Sequence, residues 1–374
     1  VAHTIDEVMT IRKRLGQLNP FRVLNALETL NRLHEFSRKV ADGQKELTRQ
    51  MRAVTRQIEE LDEVVKGQAA DLARLPALHS KLDACHERIE QCAVAYEKDA
   101  ALDDSLPALR RKLDPERCVS HATSAVNRAT LETNPTPHIV ISDLLPDDVC
   151  DEVVSAIPPG LFFKRQNETR RELPVPFFFA PKYHRVVWGF LYQHVIARAV
   201  LPAVIEKFRP ALDAFIARHW PALGRLAESG ITIGVSNSRL MQHRPGYRIR
   251  PHRDPRWAFL TCLVYLQRRE DTHAYGTQFY RLREEQEPSH HSPLWVEEEN
   301  CRLVKDVPAR RNGAVVFLNS TGAHGASVPA DAPEGFERYI YQVQFGPDQA
   351  TRQMLIEGLE GDARLAWATA RSKY

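Results

Sequence analysis

His252 and Asp254 stand two residues apart in the stretch Gly246-Tyr247-Arg248-Ile249-Arg250-Pro251-His252-Arg253-Asp254. The stretch reads as a β-strand, where side chains two apart point to one face. An imidazole and a carboxylate on one face are two of the three groups of a 2-His-1-carboxylate facial triad, which holds a divalent transition metal and leaves positions open. A chain with fifteen histidines will show H-x-D by chance, so its weight depends on further ligands downstream. There Ala314–Leu318 runs into Asn319-Ser320-Thr321-Gly322-Ala323-His324-Gly325, a small-residue turn that delivers one more histidine. Fourteen residues later Arg338 heads the apolar strand Arg338–Phe345. A lone arginine there is often surface or ion-paired, but it can also serve as a fixed fork for a carboxylate.

These residues need a frame. Ile231–Val235, Ser238–Gln242, Tyr247–Asp254, Phe259–Leu266, Thr277–Leu282, Val296–Val304, Ala314–Leu318 and Arg338–Phe345 read as strands separated by turn residues. Short strands with no helix between them predict a jelly-roll or barrel-like double sheet. Ahead of them, His138–Ile141 reads as a strand and Asp147 opens a helix to about Ile157, with an N1 proline and acidic first turn. Residues 160–182 read as irregular, and 183–222 as a mostly helical support beneath the sheet. His184, His194 and His219 on that support read as ordinary core or surface histidines. The expected fold is α+β: a β-rich domain over 138–348, with its double sheet over 231–346, and a C-terminal helix over 349–374.

The first hundred residues are different. Asn19-Pro20 starts a helix carrying Phe21, Leu24, Leu27, Leu30, Leu33 and Phe36. Leu47, Met51, Val54, Ile58, Leu61 and Val65, then Leu72 and Leu75, step by 4 and 3 like a heptad seam, and Leu82, Cys85, Ile89, Cys92 and Tyr96 continue it. Residues 1–100 are therefore expected to be a coiled-coil arm that forms a homodimer or docks on a partner coil. An antiparallel helical hairpin folded on itself or on the domain that follows is the other reading. Residues 101–137 read as a linker with a short helix.

Composition excludes several classes. Fifty-one Lys and Arg against forty-eight Asp and Glu give a net charge of +3, which offers no argument for nucleic acid or an anionic membrane surface. No apolar run in the sequence suggests a membrane span, and no signal peptide is visible. Six cysteines without C-x-x-C or framework spacing read as reduced thiols in a cytoplasmic compartment. No G-x-S-x-G or phosphate-binding glycine loop is present.

Taken in order, H-x-D at 252–254, Thr261-Cys262-Leu263-Val264-Tyr265-Leu266-Gln267, Gly276-Thr277-Gln278-Phe279, Asn312-Gly313-Ala314-Val315-Val316-Phe317, His324 and Arg338 resemble the iron(II)/2-oxoglutarate-dependent oxygenases, in particular the prolyl-4-hydroxylase-like branch. The resemblance covers roughly 138–346. It implies a double-stranded β-helix and Fe(II) held by His252, Asp254 and His324. It further implies 2-oxoglutarate gripped at its distal carboxylate by Arg338 with help from Tyr265, and O2 as second co-substrate. The reaction it implies is hydroxylation of an unactivated C–H with succinate and CO2 as co-products, on a protein side chain or a metabolite or glycan intermediate. The chain departs from the family pattern at Tyr275, where a glycine would stand, at Ile249, and at His243, where relatives often place tyrosines. Two other classes stay open: a cupin-like metal-binding isomerase or binding protein without 2-oxoglutarate, and a non-catalytic coiled-coil scaffold.

Arg244, Arg248, Arg250, Arg253 and Arg256 crowd the metal motif. Pointing inward, they would favour an anionic substrate; otherwise they pair with the Glu-rich segment 284–299. Residues 281–300, including His290 and His291, read as an inserted loop, either a lid or a solvated excursion.

Overall fold

The structure, a computed structural model, describes residues 35, 39, 42–60, 75–100, 102–178, 180–255, 257–284, 294–359 and 361. The chain divides into two compact units, Val1–Glu90 and Gln91–Tyr374. Residues 42–60 are helical, as is α1 (Leu75–Ala100). Seam residues are open to solvent there, with Met51 63%, Leu82 49% and Ile89 51% exposed. The expected apolar series from Phe21 to Leu33 with Phe36, and the seam positions Leu61, Val65 and Leu72, lie outside the described residues.

In the second unit, residues 101–137 hold two helices rather than one, α2 (Leu102–Lys112) and α3 (Pro115–Arg128). Asp114 caps α3 by accepting from the Arg117 backbone N–H, and Pro115 follows in the first turn, where its missing N–H costs nothing. Then come β1 (His138–Ile141) and α4 (Asp147–Ser155). The stretch expected to be irregular contains β2 (Lys164–Arg165) and β3 (Arg170–Pro174). Five of the seven positions in these strands are charged, so no apolar alternation marks them.

The predicted support is one helical run: α5 (Lys182–Phe190), a π-helical stretch Leu191–Val200, and α6 (Leu201–His219). By length and composition this run is apolar enough to cross a membrane, which corrects the expectation that no such run exists. Val187, Leu191, Val195, Val204 and Phe208 on it are fully buried, as a helix packed into a protein core requires.

The remaining strands are β4 (Ile233–His243), β5 (Arg248–Arg253), β6 (Leu260–Tyr265), β7 (Thr277–Leu282), β8 (Leu294–Trp295), β9 (Cys301–Val307), β10 (Ala314–Leu318), β11 (Ala323–Ser327) and β12 (Arg338–Pro347), followed by α7 (Gln349–Glu357). They form two antiparallel sheets, β1-β10-β6-β12-β4-β3-β2 and β8-β5-β11-β7-β9. From β4 to β7, and again from β9 to β12, successive strands alternate between sheets, consistent with a double-stranded β-helix. Met241, Leu263, Phe279, Val315, Phe317 and Ile340 fill the space between them. Each buried side chain of that size contributes about 1.5–3 kcal/mol, so this apolar layer sets the spacing of the faces that carry the site.

Three details differ from expectation. The two strands expected over 231–242 are one, β4, which accommodates a register shift opposite Gln344 and Phe345. His324 lies within β11, not in a turn; Gly322, at φ +63°, makes the turn just before it. Of the C-terminal helix expected over 349–374, the structure describes α7 and little beyond, the rest lying outside the described residues.

Candidate metal centre and co-substrate pocket

β5 carries His252 to the edge of its strand, and Asp254 comes one residue past the strand end. β11 runs antiparallel to β5 with His324 directly opposite His252. Cross-strand partners have Cβ atoms about 4.5–5.5 Å apart, so the pairing itself brings the imidazoles together, their ring centroids 4.2 Å apart. The His252 Nε2 lies 3.7 Å from Asp254 Oδ1, and His324 Nε2 lies 3.8 Å from Asp254 Oδ2. Ligand atoms of all three residues fall within 4.8 Å of one another, and all three residues are buried. One ion can therefore be reached by the whole set, and two nitrogens with one carboxylate suit an Fe(II)-type centre.

The next layer fixes the orientation of these groups. His252 Nδ1 meets the Arg250 carbonyl at 2.9 Å. A carbonyl only accepts, so the proton sits on Nδ1 and the Nε2 lone pair is left for a metal. The Thr261 hydroxyl donates to Asp254 Oδ2 at 2.6 Å, and the Asn319 amide donates to that hydroxyl oxygen at 3.0 Å. Asn319 also donates to the Ala258 carbonyl, so the amide directs the threonine proton onto the carboxylate.

Electrostatics prepare the same state. Burial, with His252 adding to it, pulls His324 down to about 3 against the attraction of Asp254. Burial also holds His252 below its ordinary value, although Asp254 and the Arg250 carbonyl oppose it. Burial pushes Asp254 up, but His324, His252 and the Thr261 hydrogen bond outweigh it and leave the carboxyl below its usual range. Neutral imidazoles beside an ionised carboxylate are the protonation states that metal binding needs.

A cavity of about 190 Å³ opens from the trio between the sheets, more than ten times what one water requires, about 10–15 Å³. Arg338 lines it, 2% exposed, and its Nε and Nη1 have no hydrogen-bond partner among the described residues. A buried guanidinium with two unmet donors fits an anionic ligand of bidentate geometry. Tyr265 lies near enough to act on Arg338 electrostatically, but its hydroxyl donates to Thr277 at 2.8 Å. Thr277 lines the cavity in its stead.

Sequence reasoning missed Thr261, Thr277, Arg170, Arg239 and Asn319. Strand parity carried a signal for some. Thr261 shares the inward parity of Tyr265 on β6, and Arg239 and Met241 share that of His243 on β4. His243 is 1% exposed, lines the cavity opposite Arg338 in register, and leaves both ring nitrogens without a hydrogen-bond partner among the described residues. It stacks on Tyr247 with centroids 3.6 Å apart. Burial, then Arg338, Arg170 and Arg239, hold it well below the usual histidine range.

The arginines around H-x-D are otherwise engaged. Arg248 pairs with Glu298, Arg244 with Glu337, Arg253 donates to the Gly322 carbonyl, and Arg250 lies over the Trp295 ring. Arg256 and the loop residues 285–293, including His290 and His291, lie outside the described residues.

No family model matches the sequence, and no curated protein does. Among solved structures the chain is similar to a prolyl-4-hydroxylase from Pseudomonas putida, at 14% identity and TM-score 0.35, over 62% of this chain and 99% of that one. It is also similar to a 2OG-Fe(II) oxygenase-family oxidoreductase from Burkholderia pseudomallei, at 9% identity and TM-score 0.32, over 56% and 84%. A third is HygX from Streptomyces hygroscopicus with nickel and 2-oxoglutarate bound, at 12% identity and TM-score 0.32, over 57% and 83%. At these identities the chemistry has to be read from the site itself.

Proposed function

We propose that this chain is an Fe(II)- and 2-oxoglutarate-dependent oxygenase that hydroxylates an unactivated C–H, releasing succinate and CO2. The observation that carries this reading is one cavity holding both the His252–Asp254–His324 trio and the unsatisfied guanidinium of Arg338. A metal site alone would fit a cupin-like isomerase equally well. A buried cation with unmet donors beside the metal site favours a carboxylate co-substrate.

His252 Nε2, Asp254 and His324 would hold the ion, with Thr261 and the Arg250 carbonyl keeping two of them in orientation. When bound, the ion supplies O2 activation coupled to loss of the co-substrate carboxyl group. Arg338 would fix the far carboxylate of 2-oxoglutarate, and neutral His243 can donate one hydrogen bond beside it. Met241, Leu263 and Ile340 line the walls and exclude water. The substrate is proposed to be a protein side chain or a small metabolite. The helical arm is proposed to pair with a second copy of the chain through the exposed seam positions Met51, Ile58, Leu82 and Ile89. Sedimentation that finds only monomer would contradict that pairing.

Calorimetric titration of the Mn(II)-loaded chain with 2-oxoglutarate tests the function. Binding is expected, and Arg338→Ala should weaken it by about 2–5 kcal/mol, as for truncation of a buried charge pair, while Mn(II) affinity holds. Tight metal binding with no 2-oxoglutarate binding would favour the cupin-like class.

A further inference from the structure

Besides Arg338, two more guanidiniums face the metal cavity: Arg170 on β3 and Arg239 on β4. β3, β4 and β12 are adjacent, and their register places Arg170, His243 and Arg338 in one row and Arg239 beside Gln342 two rows on. Glu172, 7% exposed, ion-pairs with both Arg170 and Arg239. Gln342 accepts from Arg239 Nε at 2.6 Å and so fixes the plane of that guanidinium. Both arginines reach the metal trio electrostatically, Arg170 at His252 and Arg239 at Asp254.

The charges do not cancel. Taken over these four side chains alone, three guanidiniums against one glutamate leave two positive charges. A divalent ion beside Asp254 adds one, and a dicarboxylate co-substrate removes two. One buried positive charge remains, which is costly in a low-dielectric interior unless an anion meets it. His243 is held neutral and changes nothing in this tally, but its two unpartnered ring nitrogens offer a further polar contact in the same row. Among the described residues lining the cavity, Asp254 is the acidic one.

We infer that Arg170 and Arg239 form a subsite for a single carboxylate of the primary substrate, so that the enzyme oxidises a monoanionic acid. The inference rests on the oxygenase reading above. It differs from a structural Arg–Glu–Arg brace in one respect: Glu172 competes with the substrate carboxylate instead of completing the site.

The chain, saturated with Mn(II) and 2-oxoglutarate, should bind acetate and not its neutral isostere acetamide, read by thermal shift and equilibrium titration. Arg239→Gln and Arg170→Gln should each weaken acetate about tenfold, the loss of one charge-assisted hydrogen bond, with 2-oxoglutarate affinity unchanged. Arg170 is the more exposed of the two, so its variant serves if Arg239→Gln does not fold. Glu172→Gln should tighten acetate, which a mere brace would not do. Glutarate monoamide against a capped tripeptide with one glutamate then separates a free acid from an acidic side chain as its source. Equal binding of acetamide would overturn the inference, as would weaker acetate binding in Glu172→Gln. Loss of 2-oxoglutarate binding in the Arg170 and Arg239 variants would assign them to the co-substrate and also overturn it. Normal 2-oxoglutarate binding without acetate binding would sink this inference alone. No 2-oxoglutarate binding by the native chain would sink the oxygenase reading and this inference with it.

Discussion

His252 and His324 are direct cross-strand partners on β5 and β11, so one antiparallel register sets two candidate metal ligands at once. Two strands with a one-residue slip would turn one imidazole out of the cavity. The third candidate ligand, Asp254, needs no register of its own, because it stands two residues after His252 and is tied to Thr261.

Removing either imidazole should therefore break the centre. His252→Ala and His324→Ala are each expected to lower Mn(II) affinity by more than the roughly 10–100-fold that losing an outer partner costs. Far-ultraviolet circular dichroism should remain native. Equilibrium dialysis reads the affinity, and undiminished binding by His324→Ala would remove it from the ligand set.

Thr261→Val keeps the shape of the side chain and deletes the hydrogen bond to Asp254 Oδ2. Metal affinity should fall about 10–100-fold with the fold intact. A variant that binds Mn(II) like the native chain would show that Asp254 is positioned by its backbone alone.

The buried trio and the cavity arginine are legible in the sequence because the candidate chemistry is concentrated in His252, Asp254, His324 and Arg338, on strands whose apolar alternation marks them. Arg170 and Glu172 are not, since β3 lies in a charged stretch with no alternation to read. Arg239 and Thr261 have the right parity, but parity names a face only once the strand's neighbours are known. Ala323-His324-Gly325 has little β-propensity and so suggests a turn; pairing with β5 and β7 on either side overrides that.

Four of the buried histidines should make stability acid-sensitive. Burial lowers His138, His243, His252 and His324 below the ordinary value. Above about pH 6.5 these groups are neutral in both the folded and unfolded chain, and their contribution is fully present. As pH falls below that value the unfolded chain takes up protons that the folded chain refuses, so stability drops by up to about 1.4 kcal/mol per pH unit for each group. The melting temperature of the metal-free chain should decline steadily from about pH 6.5 towards about 4. A flat profile would mean that the histidines are hydrated in solution.

Gly276 has no room for a side chain: a Cβ there would lie 1.7 Å from the Val307 carbonyl oxygen. It sits just before β7, where β7 and β9 begin to pair at Thr277 and Val307. Gly276→Ala should cost at least the roughly 1–3 kcal/mol of an overpacked core, visible as a lower denaturant midpoint. Tyr275 beside it packs edge-on against Phe336.

Anaerobic titration with Fe(II) and then 2-oxoglutarate, followed in the visible range, tests whether metal and 2-oxoglutarate meet in one cavity. A weak charge-transfer band should develop with the co-substrate and vanish in Arg338→Ala at the same co-substrate concentration. Bound iron without any band, or a band indifferent to Arg338, would contradict the account.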